Sequence, residues 1–297
     1  MSADAQTMTP AAKTGGASQL FLGPWTIAMF TWRESIRKKT MVGFLILSLL
    51  VIFGATVMTS MMQQETVSSL EGVGGTIETQ TKLIKDICVS AISIFGALIT
   101  IFISASVVPS EIENKVIYTV LSKPVRRIQY LIGKFTGVQL TILLNLVLMG
   151  GLFFAALWAR EGAPPTLLIW AMVLMFFEFL ILSAFTFAVS CTSSSSVLPT
   201  IAGLFIYITG NLTEYLNDVW LRAEAAGGSE KLIGYIAWGL HNILPNLQSF
   251  SLKNEIVHGL LSDPPPYDLI PNLILYSLIF SAAGFALSFA IFYRKEL

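Results

Sequence analysis

The residues able to do chemistry in this chain are few, and most lie together. Residues 110–134 read SEIENKVIYTVLSKPVRRIQYLIGK and carry seven charges on twenty-five positions, between two long apolar runs. Charges so placed suit docking of a partner, or the plainer task of setting membrane topology. A second candidate is Glu178, in LMFFEFLIL. A carboxylate inside such a run is costly, by about 2.5–3.5 kcal/mol on insertion scales. Two readings follow: a neutral acid hydrogen-bonded to Gln139, Thr141 or Asn145 of another span, or a proton relay or substrate contact. His241 and His258 share one loop with no cysteine or third histidine nearby, so no metal site is assigned and interfacial histidines are expected. Met58, Met61 and Met62 offer soft thioethers that suit copper, but methionines ending a span are expected to pack. Cys88 and Cys191 fall at opposite ends of spans, and a disulfide needs Cα atoms within about 7 Å, so packing without a bridge is expected. No GxxxxGK[ST], HExxH, CxxC or GxSxG occurs. No catalytic residue is therefore assigned, and an enzyme acting alone is a poor reading.

The elements that position these residues follow from composition. The chain is 54% hydrophobic and 12% charged, against roughly 25% charged in soluble domains. The formal net charge is zero, which gives no footprint for nucleic acid. A span needs about 20 apolar residues, and six segments qualify, near 41–61, 87–109, 132–158, 167–190, 197–216 and 270–293. The fifth is the shortest, with polar residues arriving after about sixteen positions. Unpaired backbone amides are not tolerated in lipid, and strand alternation is absent, so the expected fold is an all-α membrane protein of six transmembrane helices. With the N-terminus inside, twelve of the eighteen basic residues fall on the inner side. Both termini are therefore expected in the cytoplasm, in a multi-pass protein of the inner (plasma) membrane.

Residues 1–20 lack the apolar core of a signal peptide and read as a disordered cytoplasmic tail; 21–297 read as one transmembrane domain. Residues 24–39, PWTIAMFTWRESIRKK, read as an amphipathic helix in the inner interface. Pro24 stands in its first turn, and Trp25, Met29, Trp32 and Ile36 form its apolar stripe. Residues 62–85 form a short outer loop whose GVGG argues for a turn. SCTSSSSVLP at 190–199 is a serine-rich inner turn. Residues 217–269 form a larger outer loop with Tyr235, Trp238 and Tyr267 placed for the outer interface.

In the charged segment, Pro109 and Ser110 are expected to end the second span, with Ser110 capping a new helix. Glu111 and Glu113 would then sit near the positive end of its dipole. Residues 111–122 form that helix, with Ile112, Val116, Thr119 and Val120 on one side, until Lys123-Pro124 breaks it. This coupling segment, 110–131, resembles the cytoplasmic signature of type-two ABC exporter permeases: an E-x-E followed by L-x-[SK]-K-P-x-x-R and G-K. Glu111, Glu113, Leu121, Lys123, Pro124, Arg127, Gly133 and Lys134 match it. Asn114-Lys115 departs from it. The likeness extends over nearly the whole chain after residue 21 and looks closest to the branch containing the nitrous-oxide-reductase maturation permease.

The resemblance implies a permease subunit of an ATP-driven exporter, paired with a second copy or a paralogue. Two separate ATP-binding subunits would carry the ATP and magnesium, with no cofactor on this chain. The helix at 111–122 would be the coupling helix, contacting the ATPase through Glu111, Glu113, Val116, Val120, Leu121, Lys123, Pro124 and Arg127. The second and fifth spans would line the path, and on the fifth Gly203, Tyr207 and Gly210 share a face with Asn211 beside it. Close packing explains the same residues equally well. A proton-coupled carrier using Glu178, or a non-transporting scaffold or sensor, are the alternative readings. The cargo is not legible.

Overall fold

The computed structural model describes residues 16–68, 74–113, 126–161, 166–213 and 269–294, with 215, 219–222, 234–235, 238–239 and 245–251. Among them every regular element is helical: α1 (Gly16–Ile36), α2 (Lys39–Ser68), α3 (Gly74–Glu113), α4 (Arg127–Glu161), α5 (Thr166–Thr192), α6 (Val197–Asn211) and α7 (Leu269–Arg294), with a 3-10 turn at Gln248–Phe250. Uninterrupted apolar runs leave the backbone no partner but itself, and a helix satisfies every amide within the segment. Stretches of α2, α3, α4, α5 and α7 are long and apolar enough to cross a membrane. The chain is a multi-pass membrane protein.

α3 and α5 form the core. In each, 61% of the most apolar stretch is buried by protein, against 17% in α2 and 22% in α7, whose apolar faces point outward. Apolar area does not drive association within lipid, so close fit and polar links must. The Phe179 ring of α5 lies over Gly96 of α3. Gln139 of α4 donates to Ser183 Oγ at 2.7 Å, and Ser277 of α7 donates to the Phe177 carbonyl at 2.9 Å. Lys38 reaches Ser106, and Arg127 reaches the backbone of Tyr293. These contacts gather the start of α2 and α4 and the end of α3 and α7 at one end of the bundle, which we call the basic end.

Several boundaries differ from the sequence reading. α3 runs through Pro109 to Glu113, so Ser110 lies inside that helix, not at the start of a new one, and its hydroxyl bonds back to the Val107 carbonyl. Glu111 and Glu113 therefore stand in the last turn of the span, not the first turn of a new helix. A proline removes one helix hydrogen bond, and a membrane helix with neighbouring partners tolerates that. The loop expected at 62–85 shrinks because α2 continues to Ser68 and α3 starts at Gly74; glutamine and glutamate past the apolar run are good helix formers. α1 begins at Gly16 and carries Pro24 in its interior. Its buried face is Ala28, Thr31 and Ser35, whereas Trp25 is exposed. Small residues make the closest approach because α4 presents Gly133 and Gly137 there, while Ile36 of the stripe also packs against the core.

α6 is 15 residues long, about 22 Å and short of the roughly 30 Å hydrocarbon core. Its end is completed from elsewhere in the chain. The Leu247 N–H donates to the Gly210 carbonyl at 3.1 Å, the Asn246 N–H donates to the Tyr276 hydroxyl at 3.0 Å, and Leu247 and Phe250 are fully buried. Residues 245–251 thus fill the gap between α6 and α7, with backbone groups paired as a non-helical piece in a bundle requires. The serine turn at 193–196 is held by its own hydroxyls: Ser193 Oγ donates to the Ser195 carbonyl at 2.7 Å and accepts from the Ser195 N–H.

Candidate functional site: a buried charge clasp

Glu111 stands in the last turn of α3 with its side chain turned inward. It is only 4% exposed, whereas Glu113, two residues on, is exposed. A carboxylate in a helix's last turn meets the negative end of the dipole and is unfavourable alone. α4 supplies the answer in its first turns. Tyr130 and Lys134 stand four residues apart on one helix face. The Tyr130 hydroxyl donates to Glu111 Oε2 and the Lys134 ammonium to Oε1. Both carboxylate oxygens are engaged, and Tyr130 and Lys134 are buried. Charges can be buried like this only when paired and hydrogen-bonded.

Other elements close over the pair. Lys134 Nζ lies 5.8 Å from the centre of the Phe30 ring of α1, within cation–π range. The Tyr130 ring stacks on Phe292 of α7 at 5.7 Å. Lys38, between α1 and α2, donates to Ser106 Oγ at 2.9 Å and pairs with Glu34 at 3.8 Å. Burial holds the Lys38 ammonium below the usual lysine range; Glu34 opposes that, Lys134 adds to it, and Glu111 opposes it. Four charges that sum to zero, Glu34, Lys38, Glu111 and Lys134, thus join α1, the α1–α2 link, α3 and α4. Arg127 donates from Nη1 to the Tyr293 carbonyl at 3.1 Å, satisfying a carbonyl in the last turn of α7.

Of the residues assigned to coupling, Glu111 is clasped inside, Glu113 faces out and Arg127 binds α7. Val116, Val120, Leu121, Lys123 and Pro124 lie outside the described residues, as do His241 and His258. Tyr130 and Glu34 were not singled out from the sequence, Lys38 entered only as one of the basic residues of the interfacial helix, and Lys134 as the last letter of a signature. The available signal was the Tyr130-x-x-x-Lys134 spacing on one helix face.

The intramembrane candidates fall elsewhere. Gly203 is buried where a Cβ would meet Thr186 Oγ1 at 2.8 Å and Ile101 at 2.9 Å, and Gly210 lies against Leu247. Asn211 bonds back to the Tyr207 carbonyl at 2.9 Å. Tyr207 pairs with Ser93 of α3 and lies within electrostatic range of Glu178. Glu178 is 3% exposed. The link expected from α4 is not made: Gln139 bonds Ser183, Thr141 the Gly137 carbonyl, and Asn145 the Thr141 carbonyl. The donors of all three are used within α4 or on another residue of α5, while Gln139 Oε1 and Asn145 Oδ1 stay buried without a hydrogen-bond partner among the described residues. Cys88 and Cys191 are buried and not joined by a disulfide.

No curated protein matches the chain. The profile of the ABC-2 family transporter protein matches residues 25–297, from α1 through α7 and beyond, and the chain therefore belongs to the ABC-2 family of transporter membrane proteins.

Proposed function

We propose that this permease subunit exports cargo at the expense of ATP hydrolysed on two separate ATP-binding subunits, which supply the ATP and magnesium sites. The segment from Glu111 to residue 122 faces the cytoplasm and docks the ATPase, with Glu113, Val116, Val120, Leu121, Lys123 and Pro124 at the contact. Six crossings of the inner (plasma) membrane, with α6 as the fifth, keep both termini in the cytoplasm. One observation carries the reading: the most charged segment of the sequence connects α3 to α4, whose facing ends are clasped at Glu111. Force applied there reaches α3, one of the two most buried spans.

A second permease copy is supported by α6. Leu198, Ile201, Phe205, Ile208 and Leu212 are all exposed on it, at the alternating three- and four-residue spacing of a helix–helix seam. Membership of the nitrous-oxide-related branch rests on the signature alone. Glu178 favours a second reading, a proton-coupled carrier, because it is a buried acid that makes no hydrogen bond among the described residues.

The docking role is tested by Glu113→Lys and Leu121→Asp. Each is expected to abolish ATP-driven transport while the protein still inserts, because Glu113 is exposed and Leu121 falls between the apolar runs of the sequence. Unaltered transport in both variants rules the docking role out.

A further inference from the structure

We infer that Glu111, Tyr130 and Lys134 are an internal fastener that transmits the movement of the 114–125 segment to α4 and α1, and that Glu111 is not a docking contact. The inference rests on the proposed docking of an ATP-binding subunit on this segment. It departs from the family signature, which places Glu111 among the residues that touch the partner.

Geometry carries the argument. A docking side chain must offer the partner a free polar atom, and Glu111 has none: it is 4% exposed and each oxygen already accepts a hydrogen bond. Glu113 keeps the exposure that docking needs. The two donors come from α4, so the clasp bridges the two ends of the segment itself. Separating those ends would strand the Lys134 ammonium in a buried site, which is far costlier than parting an exposed pair.

The fastening continues to α1. Lys38 lies within electrostatic range of Lys134 and Glu111 and pairs with Glu34, and Phe30 covers the Lys134 ammonium. Below this node, α1 packs directly on Gly133 and Gly137 of α4. The contacts step together, Pro24 and Ile27 on Gly133 and Ala28 and Thr31 on Gly137, so α1 runs alongside α4 in the same direction over this stretch. α1, α4 and the end of α3 therefore move as one body. A membrane-surface anchor would need neither the charge node nor the close fit.

The test uses the complex purified with its own ATP-binding subunit and placed in lipid nanodiscs. Two quantities are read: the amount of ATP-binding subunit retained, and the ATP-dependent change in labelling rate of a cysteine replacing exposed Ala155, at the far end of α4. In Glu111→Gln, retention is expected to stay at the wild-type level, while the ATP-dependent change falls about tenfold, a usual size for coupling between sites. Glu113→Lys is expected to lose the subunit instead. Tyr130→Phe removes one hydrogen bond and no charge, so it carries the test if Glu111→Gln fails to fold. It should keep the subunit and reduce the ATP-dependent change. Exchanging the charges, Glu111→Lys with Lys134→Glu, should restore what Glu111→Lys alone abolishes. Loss of the subunit in Glu111→Gln or Tyr130→Phe, a full ATP response in either, or no recovery on charge exchange overturns the inference. A wild-type chain that retains no ATP-binding subunit overturns the proposed function itself, and is seen before any variant is made.

Discussion

Replacing Gly133 or Gly137 with alanine should push α1 away from α4. A Cβ at Gly133 would stand 2.7 Å from the Pro24 carbonyl oxygen and 2.8 Å from Ile27 Cβ. At Gly137 it would stand 2.7 Å from the Ala28 carbonyl oxygen and 2.6 Å from Thr31 Cβ. Ordinary contact begins near 3.4 Å, so α1 must retreat by about 0.7 Å or deform. The obstacles are backbone oxygens and β-carbons, which cannot swing aside as the tip of a long side chain can. Overpacking of this kind costs about 1–3 kcal/mol. Alanine also gains about 1 kcal/mol over glycine in helix propensity, which would mask part of the loss. Gly43 and Gly151 provide the control, because a Cβ at either meets nothing within 4 Å. The propensity gain is common to both sets and cancels in the comparison. Unfolding by SDS, followed through tryptophan fluorescence, should place the Gly133 and Gly137 variants about 1–3 kcal/mol below the Gly43 and Gly151 variants. Equal stability of the two sets would refute the close fit and remove α1 from the fastened body.

Two further changes test other parts of the bundle. Glu178 buries a carboxyl group with no hydrogen bond among the described residues, so Glu178→Met should raise stability by about 1–3 kcal/mol. ATP-driven transport should survive that change; its loss in the well-folded variant would favour the proton-coupled reading over the structural one. Leu247 is fully buried against Gly210, and Leu247→Ala should cost about 2–5 kcal/mol. It should also open residues 245–251 to proteolysis, and unchanged resistance would show that this segment does not complete α6.

The crossings were legible in the sequence because lipid imposes one strong rule, an apolar run of helical length. The run read at 167–190 nearly coincides with α5, and the run at 87–109 lies within Lys85–Glu113, the apolar part of the longer α3. What failed was local punctuation. Pro109 was read as a stop by a rule drawn from soluble helices, yet a packed membrane helix continues through it. On α1 the aromatic stripe was legible, but the packing face of Ala28, Thr31 and Ser35 was not, because its small size shows its use only once Gly133 and Gly137 are opposite. The clasp was illegible for a different reason. Glu111 and Lys134 are separated by twenty-two residues, and their pairing depends on how α3 and α4 meet. The family resemblance pointed Glu111 outward, and tertiary packing turns it in.

The account's central claim is that this chain takes its energy from a separate ATPase through the segment between α3 and α4. The most direct measurement is purification of the chain from its native membrane in gentle detergent, followed by identification of what accompanies it and assay of ATP hydrolysis. An ATP-binding subunit should come with the wild-type chain and hydrolyse ATP, and should be lost from Glu113→Lys and Leu121→Asp. A chain that purifies without any ATP-binding protein, or holds one equally well in both variants, would contradict the claim.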